Sequence, residues 1–124
     1  MKFYLASRWA RRDELRGYRA VMERFGYEVT SRWLAPEGQV EVSAAHDVED
    51  VRAATALILF TSPPDVMPPP SGAHVEFGLA MAQQKHLAVV GPIMNVFHTL
   101  PEVQRFEDWD DIWTHILVDY WPTC

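Results

Sequence analysis

The continuous apolar run Ala56-Leu57-Ile58-Leu59-Phe60 is the stretch that decides the fold. Five apolar residues in a row, without polar residues at alternate positions, are typical of a parallel strand that is covered on both faces. On the amino-terminal side of this run, Ser43 is a suitable N-cap for a helix that extends to about Ala54. On its carboxyl-terminal side, a proline-rich loop over residues 61–72 leads into a helix over about 73–84. The run therefore predicts the central strand of a sheet with helices on both faces.

The rest of the chain continues this alternation of strands and helices. The further predicted elements are a buried strand at Lys2–Ala6, a helix at Asp13–Phe25, a half-exposed strand at Tyr27–Trp33, a buried strand at Leu87–Val90 and a helix at Trp109–Tyr120. Together they predict one domain over residues 1–124, with an α/β fold of three layers and a mostly parallel sheet. Such sheets bind ligands beyond the carboxyl ends of their strands, where residues 7–12, 61–72 and 91–95 are predicted to meet.

Composition and charge exclude several classes of protein. The chain has 124 residues, of which 48% are hydrophobic, and a net charge of −6. Residues 1–32 carry eight basic and four acidic side chains, whereas the remaining residues are strongly acidic. An acidic chain is poorly suited to grip a nucleic-acid polymer, whose phosphates require neutralisation. The arginines near the start are suited to one small anion, and they are equally typical of a solvated helix face.

No membrane association or disulfide framework is predicted. No apolar run reaches the roughly 18 residues of a membrane helix, and the first residues enter a strand pattern without the apolar segment of a signal peptide. The single cysteine, Cys124, has no partner in the chain. We therefore expect a reducing, cytoplasmic location.

The common cofactor and metal motifs are not found in the sequence. It contains no G-x-G-x-x-G, no P-loop and no G-x-S-x-G. Its five histidines form no H-x-x-x-H pair and have no neighbouring cysteine. We therefore expect no metal and no cofactor.

The segment Ser71-Gly72-Ala73-His74-Val75-Glu76-Phe77-Gly78-Leu79-Ala80 carries the clearest chemical signal. It opens a helix at the predicted ligand edge, and Glu76 is expected near the first turn. There the helix dipole and free N–H groups would keep its carboxylate ionised. A fixed carboxylate of this kind can act as a nucleophile in glycosyl transfer. Asp47, at the start of the preceding helix, is a second candidate carboxylate. Both are also typical of acids that simply compensate a helix dipole.

Two aromatic residues belong to the first strand and its end. Tyr4 lies on the predicted strand, and Trp9 follows it. A tryptophan at a strand end can stack on a flat base, although core packing is the commoner role of an aromatic residue.

Taken together, these motifs resemble the nucleoside 2-deoxyribosyltransferase family, which includes nucleoside 5'-monophosphate N-glycosidases. The resemblance rests on three motifs in order, which are Tyr4-Leu5-Ala6-Ser7-Arg8-Trp9, Asp47-Val48-x-x-Val51-x-x-Ala54 and Gly72-x-x-x-Glu76-x-Gly78-x-Ala80. It implies a flavodoxin-like, Rossmann-like fold and a homo-oligomer whose active sites are shared between subunits.

The resemblance also implies a role for each matching residue. Glu76 would be the nucleophile on C1' of the sugar, Asp47 would bind the sugar or assist at the base, and Tyr4 would orient the nucleophile. The remaining substrate-binding residues implied by the resemblance or by position are Ser7, Arg8, Trp9, Arg12, Ser71, Gly72 and, for a neighbouring subunit, Asn95. The serines and arginines of this set are suited to a 5'-phosphate.

One position departs from the family pattern. Transferases carry a further acid just before the glycine of the nucleophile helix, and this chain has Pro68-Pro69-Pro70-Ser71 there. The expected activity is cleavage of the N-glycosidic bond of a (deoxy)nucleoside or its 5'-monophosphate, with transfer of the sugar to water or another base. Three alternatives stay open: cleavage of the nicotinamide–ribose bond of NAD, a non-catalytic nucleotide-binding regulatory module, and an oligomeric interaction protein.

Overall fold

The computed structural model describes residues 1–35, 43–63, 72–118 and 121–122. They form a five-stranded, all-parallel sheet with the strand order β2-β1-β3-β4-β5. The strands are β1 (Lys2–Ala6), β2 (Glu28–Val29), β3 (Ala56–Phe60), β4 (His86–Val90) and β5 (Val103–Phe106). The helices are α1 (Arg12–Arg24), α2 (Ala44–Ala53), α3 (Gly72–Ala82) and α4 (Trp109–Val118). This order is that of the flavodoxin-like fold, which confirms the predicted fold class.

Strand β3 occupies the centre of the sheet, as its apolar sequence predicts. Every residue of β3 is buried, and it pairs with β1 on one side and with β4 on the other. Helices α2 and α3 pack together against β1 and β3 on one face. On the opposite face α1 meets α4, where the rings of Tyr18 and Trp109 stack with centroids 4.3 Å apart. The predicted three layers are therefore present in the described residues.

The second strand is shorter than predicted. Only Glu28–Val29 are in β2, and residues 32–34 form a short 3-10 turn instead. The hydroxyl of Ser31 takes the place of a backbone partner from β2, because the Leu5 backbone N–H donates to Ser31 Oγ at 2.7 Å. The indole N–H of Trp33, now buried, donates to the Leu5 carbonyl at 2.9 Å. Side chains thus end the pairing of β2 and turn the chain over the carboxyl edge of β1.

The fifth strand was not predicted from the sequence. β5 has buried residues only at its two ends, and the two between them are exposed. It lies at the edge of the sheet next to β4. An edge strand with this burial lacks both the continuous apolar run and the strict alternation that identify strands in a sequence.

Candidate functional site

The site begins with a contact between the first strand and the third helix. Tyr4 lies in the middle of β1 and is fully buried. Its hydroxyl donates a hydrogen bond to Oε2 of Glu76, which is the fifth residue of α3. The structure therefore brings together two of the three residues that the sequence nominates for chemistry.

The protonation of Glu76 differs from the sequence-based expectation. The free N–H groups at the start of a helix belong to its first turn. Because α3 begins at Gly72, Glu76 lies beyond that turn. Burial is the main cause that raises the pKa of Glu76 to about 7, and the negative charges of Asp47 and Asp50 add to this effect. The hydrogen bond from Tyr4 acts in the opposite direction. The expectation that the helix end keeps this carboxylate ionised is therefore corrected, because burial brings its pKa close to neutral pH.

Tyr4 is held in its protonated form. Burial and the neighbouring Glu76 charge raise the pKa of the Tyr4 hydroxyl far above its ordinary value. A phenol in this state is a hydrogen-bond donor, and it does not ionise near neutral pH. Tyr4 is thus suited to orient the Glu76 carboxylate and unsuited to act as its base.

Asp47 lies in the first turn of α2, as the sequence predicts. Ser43 caps this helix, because its side chain accepts a hydrogen bond from the His46 backbone N–H at 3.1 Å. Burial and the charge of Asp50 raise the pKa of the Asp47 carboxyl, while His46 and Arg32 oppose that rise. Asp47 is half-buried, and a carboxyl with these properties is able to hold a proton or to bind sugar hydroxyls.

Tyr4, Asp47 and Glu76 form a cluster of interacting ionisable side chains, and sequence reasoning missed a fourth member, Asp50. Asp50 is only 5% exposed, and its charge acts on Tyr4, Asp47 and Glu76. The spacing of Asp47 and Asp50 is i, i+3, which places both on one side of α2. This spacing is the feature of the sequence from which Asp50 could have been predicted. In a run of acidic residues, however, the same spacing is equally typical of a solvent-exposed helix face.

The residues after β1 lie at the carboxyl edge of the sheet. Ser7 is buried, and its hydroxyl donates to the Phe60 carbonyl at 3.0 Å, which ties the ends of β1 and β3 together. Trp9 is 47% exposed, and the guanidinium of Arg12 lies 4.6 Å from the centre of one of its rings. Arg8 is half-buried. An exposed aromatic ring with a cation on it is a surface that suits a flat, anionic ligand.

Three other nominated residues lie elsewhere or outside the described residues. Gly72 is exposed and begins α3. Asn95 caps a 3-10 helix, where its Oδ1 accepts from the Phe97 backbone N–H at 3.0 Å. Ser71 lies outside the described residues. A role for Asn95 in a neighbouring subunit stays a prediction.

A broad, open groove lies at another part of the same edge. Its volume is about 870 Å³, and it runs along β5 with Gly91, Ile93, Arg105 and Glu107 among its lining residues. None of the nominated residues lines it. The groups whose pKa values are raised by burial, Tyr4, Asp47 and Glu76, lie outside this groove, and such groups are the better candidates for chemistry.

Residues 1–35, 43–63, 72–118 and 121–122 contain neither a metal-binding cluster nor a membrane-spanning helix. Within these ranges no group of three or more histidine, cysteine or acidic side chains could hold a metal ion. None of the helices described there is long and apolar enough to cross a membrane.

Solved structures of other proteins share this fold, among them the following two. The CMP N-glycosidase BcmB of Clostridium botulinum superposes with a TM-score of 0.61 over 94% of this chain and 98% of its own, at 18% identity. A 2-deoxyribosyltransferase from Leishmania mexicana superposes with a TM-score of 0.55 over 72% of this chain and 63% of its own, at 21% identity. No model of a protein family and no curated protein sequence matches the chain. At these identities the likeness shows the fold, which agrees with the resemblance seen in the sequence.

Proposed function

We propose that this protein cleaves the N-glycosidic bond of a nucleoside or nucleoside 5'-monophosphate, with Glu76 as the nucleophile. The observation that carries the proposal is the Tyr4–Glu76 hydrogen bond inside a cluster that also contains Asp47. Two carboxyl groups with different environments are the arrangement that double-displacement glycosyl transfer requires. The buried tyrosine holds one of them at a fixed angle.

The reaction has two steps in which Glu76 is first consumed and then regenerated. In the first, a carboxylate oxygen of Glu76 forms a bond to C1' while the C1'–N bond breaks. The electron pair of that bond leaves with the base, which takes up a proton from Asp47 or solvent. In the second, water or a nitrogen of another base attacks C1', the bond to Glu76 breaks, and the proton of the attacking group goes to Asp47 or solvent.

Two of the solved structures that are similar to this chain support the choice of substrate class. One of them is named for cleavage of CMP and the other for transfer of 2-deoxyribose. The exposed Trp9 ring with Arg12 on it is suited to a base or a phosphate near the same sheet edge. We extend the proposal to a homo-oligomer whose sites are completed by a neighbouring subunit, with Asn95 as the residue supplied across the interface.

The test is release of a free base. The protein is incubated with a panel of nucleosides, deoxynucleosides and their 5'-monophosphates, and the products are separated by chromatography. We expect base release from at least one of them, and a sugar adduct on the peptide that contains Glu76 after rapid acid quenching. Glu76→Gln is expected to abolish both, whereas Glu49→Gln, the same change on an exposed residue of α2, is expected to retain both.

Other outcomes distinguish the remaining hypotheses. Unchanged turnover in Glu76→Gln would exclude the proposed mechanism. Release of nicotinamide from NAD, without release of base from the panel, would identify an NAD glycohydrolase instead. A nucleotide-dependent rise in melting temperature without any bond cleavage would identify a binding module.

A further inference from the structure

Asp50 is a buried acid whose two carboxyl oxygens both have a donor. The Arg32 backbone N–H donates to Oδ2 of Asp50 at 2.9 Å, and the Arg32 side-chain Nε–H donates to Oδ1 at 2.8 Å. The side chain of Asp50 is only 8% exposed, while that of Arg32 is 37% exposed. Asp50 is therefore occupied within the protein, and it is not positioned to bind a substrate itself.

The same contacts fasten α2 to the chain that follows β2. The Thr30 hydroxyl donates to the backbone carbonyl of Asp50 at 2.8 Å, and Arg32 Nη2 donates to the exposed Glu49 at 2.7 Å. Because β2 pairs in parallel with β1, this fastening sets the position of α2 relative to the strand that carries Tyr4. Asp47, one turn before Asp50 on α2, is held by the same contacts.

Helix α2, which carries Asp47 and Asp50, packs against α3, which carries Glu76, and against β1, which carries Tyr4. The charge of Asp50 therefore acts on all three of these side chains. Tyr4 from β1 and both Asp47 and Asp50 from α2 are ionisable groups that act on Glu76. Asp50 raises the pKa of Glu76, Asp47 and Tyr4 in each case. Arg32 opposes this effect at Asp47, so the ion pair determines how much negative charge the cluster experiences.

We propose that Asp50, together with Arg32, is a positioning residue for the reaction proposed above: the pair anchors the helix of Asp47 and keeps a fixed negative charge beside Glu76. In glycosyl transfer, positive charge develops at C1' in the transition state. A fixed anion that needs no reorganisation stabilises that charge. The anion also raises the pH at which Glu76 becomes an ionised nucleophile. More negative charge would therefore stabilise the transition state better but leave less Glu76 ionised at neutral pH, and the rate is highest at an intermediate charge.

The test compares Asp50→Asn with Arg32→Gln across a range of pH. Asparagine keeps the shape and one acceptor but removes the charge, so we expect the acid limb of kcat/KM to move to lower pH, by roughly 0.3–1 unit. Glutamine at position 32 leaves the charge of Asp50 less compensated, so that limb is expected to move to higher pH. The control is Glu49→Gln, which removes another partner of Arg32 on the same helix and is expected to leave the limb in place.

The opposite directions are the decisive result. A purely structural ion pair would lower activity in both variants without moving the limb, and that result would overturn the proposal. Since a less compensated buried charge destabilises the fold, the double variant Asp50→Asn/Arg32→Gln is included, and it is expected to fold and to titrate like Asp50→Asn.

A second readout does not depend on turnover. The carboxyl carbon signal of Glu76, identified by its loss in Glu76→Gln, is followed by NMR against pH in each variant. If no nucleoside or nucleotide is cleaved, the proposed function fails, while the titration still reports whether Asp50 and Arg32 move the ionisation of Glu76 in opposite directions. Identical titration in all variants would refute the electrostatic part.

Discussion

Replacing Glu76 by glutamine is expected to stabilise the folded protein at alkaline pH while it abolishes activity. The pKa of Glu76 rises from an ordinary 4.5 to about 7 on folding, chiefly because the carboxyl is buried. The folded state therefore holds this proton more tightly than the unfolded state does. Its contribution to stability is fully present below pH 4.5 and is lost as the pH rises through 7.

The magnitude follows from that difference in pKa. At pH 8.5 an ionised Glu76 costs the fold up to about 3 kcal/mol, whereas at pH 4.5 the cost is below about 0.5 kcal/mol. Glutamine resembles the protonated acid in shape, and its carbonyl oxygen still accepts from Tyr4. We therefore expect Glu76→Gln to raise the melting temperature by roughly 10 °C at pH 8.5 and to change it little at pH 4.5.

The assay is thermal and urea unfolding of wild type and variant at both pH values, at one fixed protein concentration. Glu49→Gln is the matched control, because Arg32 lowers the pKa of Glu49 and the same substitution there should destabilise the fold at pH 8.5. A Glu76→Gln protein that is less stable than wild type at pH 8.5 would refute the reasoning. So would a difference in stability that is equal at the two pH values.

The remaining predictions concern the tyrosine, a glycine at the sheet edge and the exposed tryptophan. Tyr4→Phe removes the hydrogen bond that lowers the pKa of Glu76, so kcat should fall and the acid limb of kcat/KM should move to higher pH; a limb that moves to lower pH would contradict this. Gly91→Ala should lower the stability by about 1–3 kcal/mol in urea unfolding, because Gly91 has a φ of +113° and an added Cβ would lie 2.6 Å from Thr61 Oγ1. Trp9→Ala should lower the melting temperature by only a few degrees, since the residue is 47% exposed, and should raise KM for the substrate by several-fold; an unchanged KM would exclude Trp9 from the binding site.

The central strands of the sheet were predictable because nearly all of their residues are apolar. The strands at 2–6 and 56–60 were predicted with the bounds that the structure has, since buried parallel strands are continuous apolar runs. The helices α1, α2 and α3 were predicted to within two residues at each end, and α4 was predicted to begin at Trp109, as it does. The predicted end of α4, Tyr120, lies outside the described residues. β5 was missed because the edge of a sheet needs little apolar surface, and β2 was overextended because the Ser31 hydroxyl replaces a backbone partner.

The candidate site was predictable in its parts and not in its electrostatics. Tyr4 and Glu76 were predicted from motifs, but the expectation that Glu76 is ionised depended only on its place in a helix. The structure shows the stronger influence, which is burial against β1 and beside α2. Asp50 was overlooked because an acidic residue in an acidic helix is expected to be exposed to solvent. Its partner Arg32 lies 18 residues earlier in the chain, so local sequence patterns do not connect the two.

The amino-acid sequence alone determined the central strand, the order of β1 to β4 and of the four helices, and the choice of Glu76 and Asp47 as candidate acids. These follow from local patterns of apolar and capping residues, whose physical causes act over a few residues. The tertiary structure alone decided that Tyr4 meets Glu76 across 72 residues and that Asp50 is buried against Arg32. Desolvation and charge–charge interactions depend on which surfaces come together, and only the packing of α2 and α3 over β1 determines that.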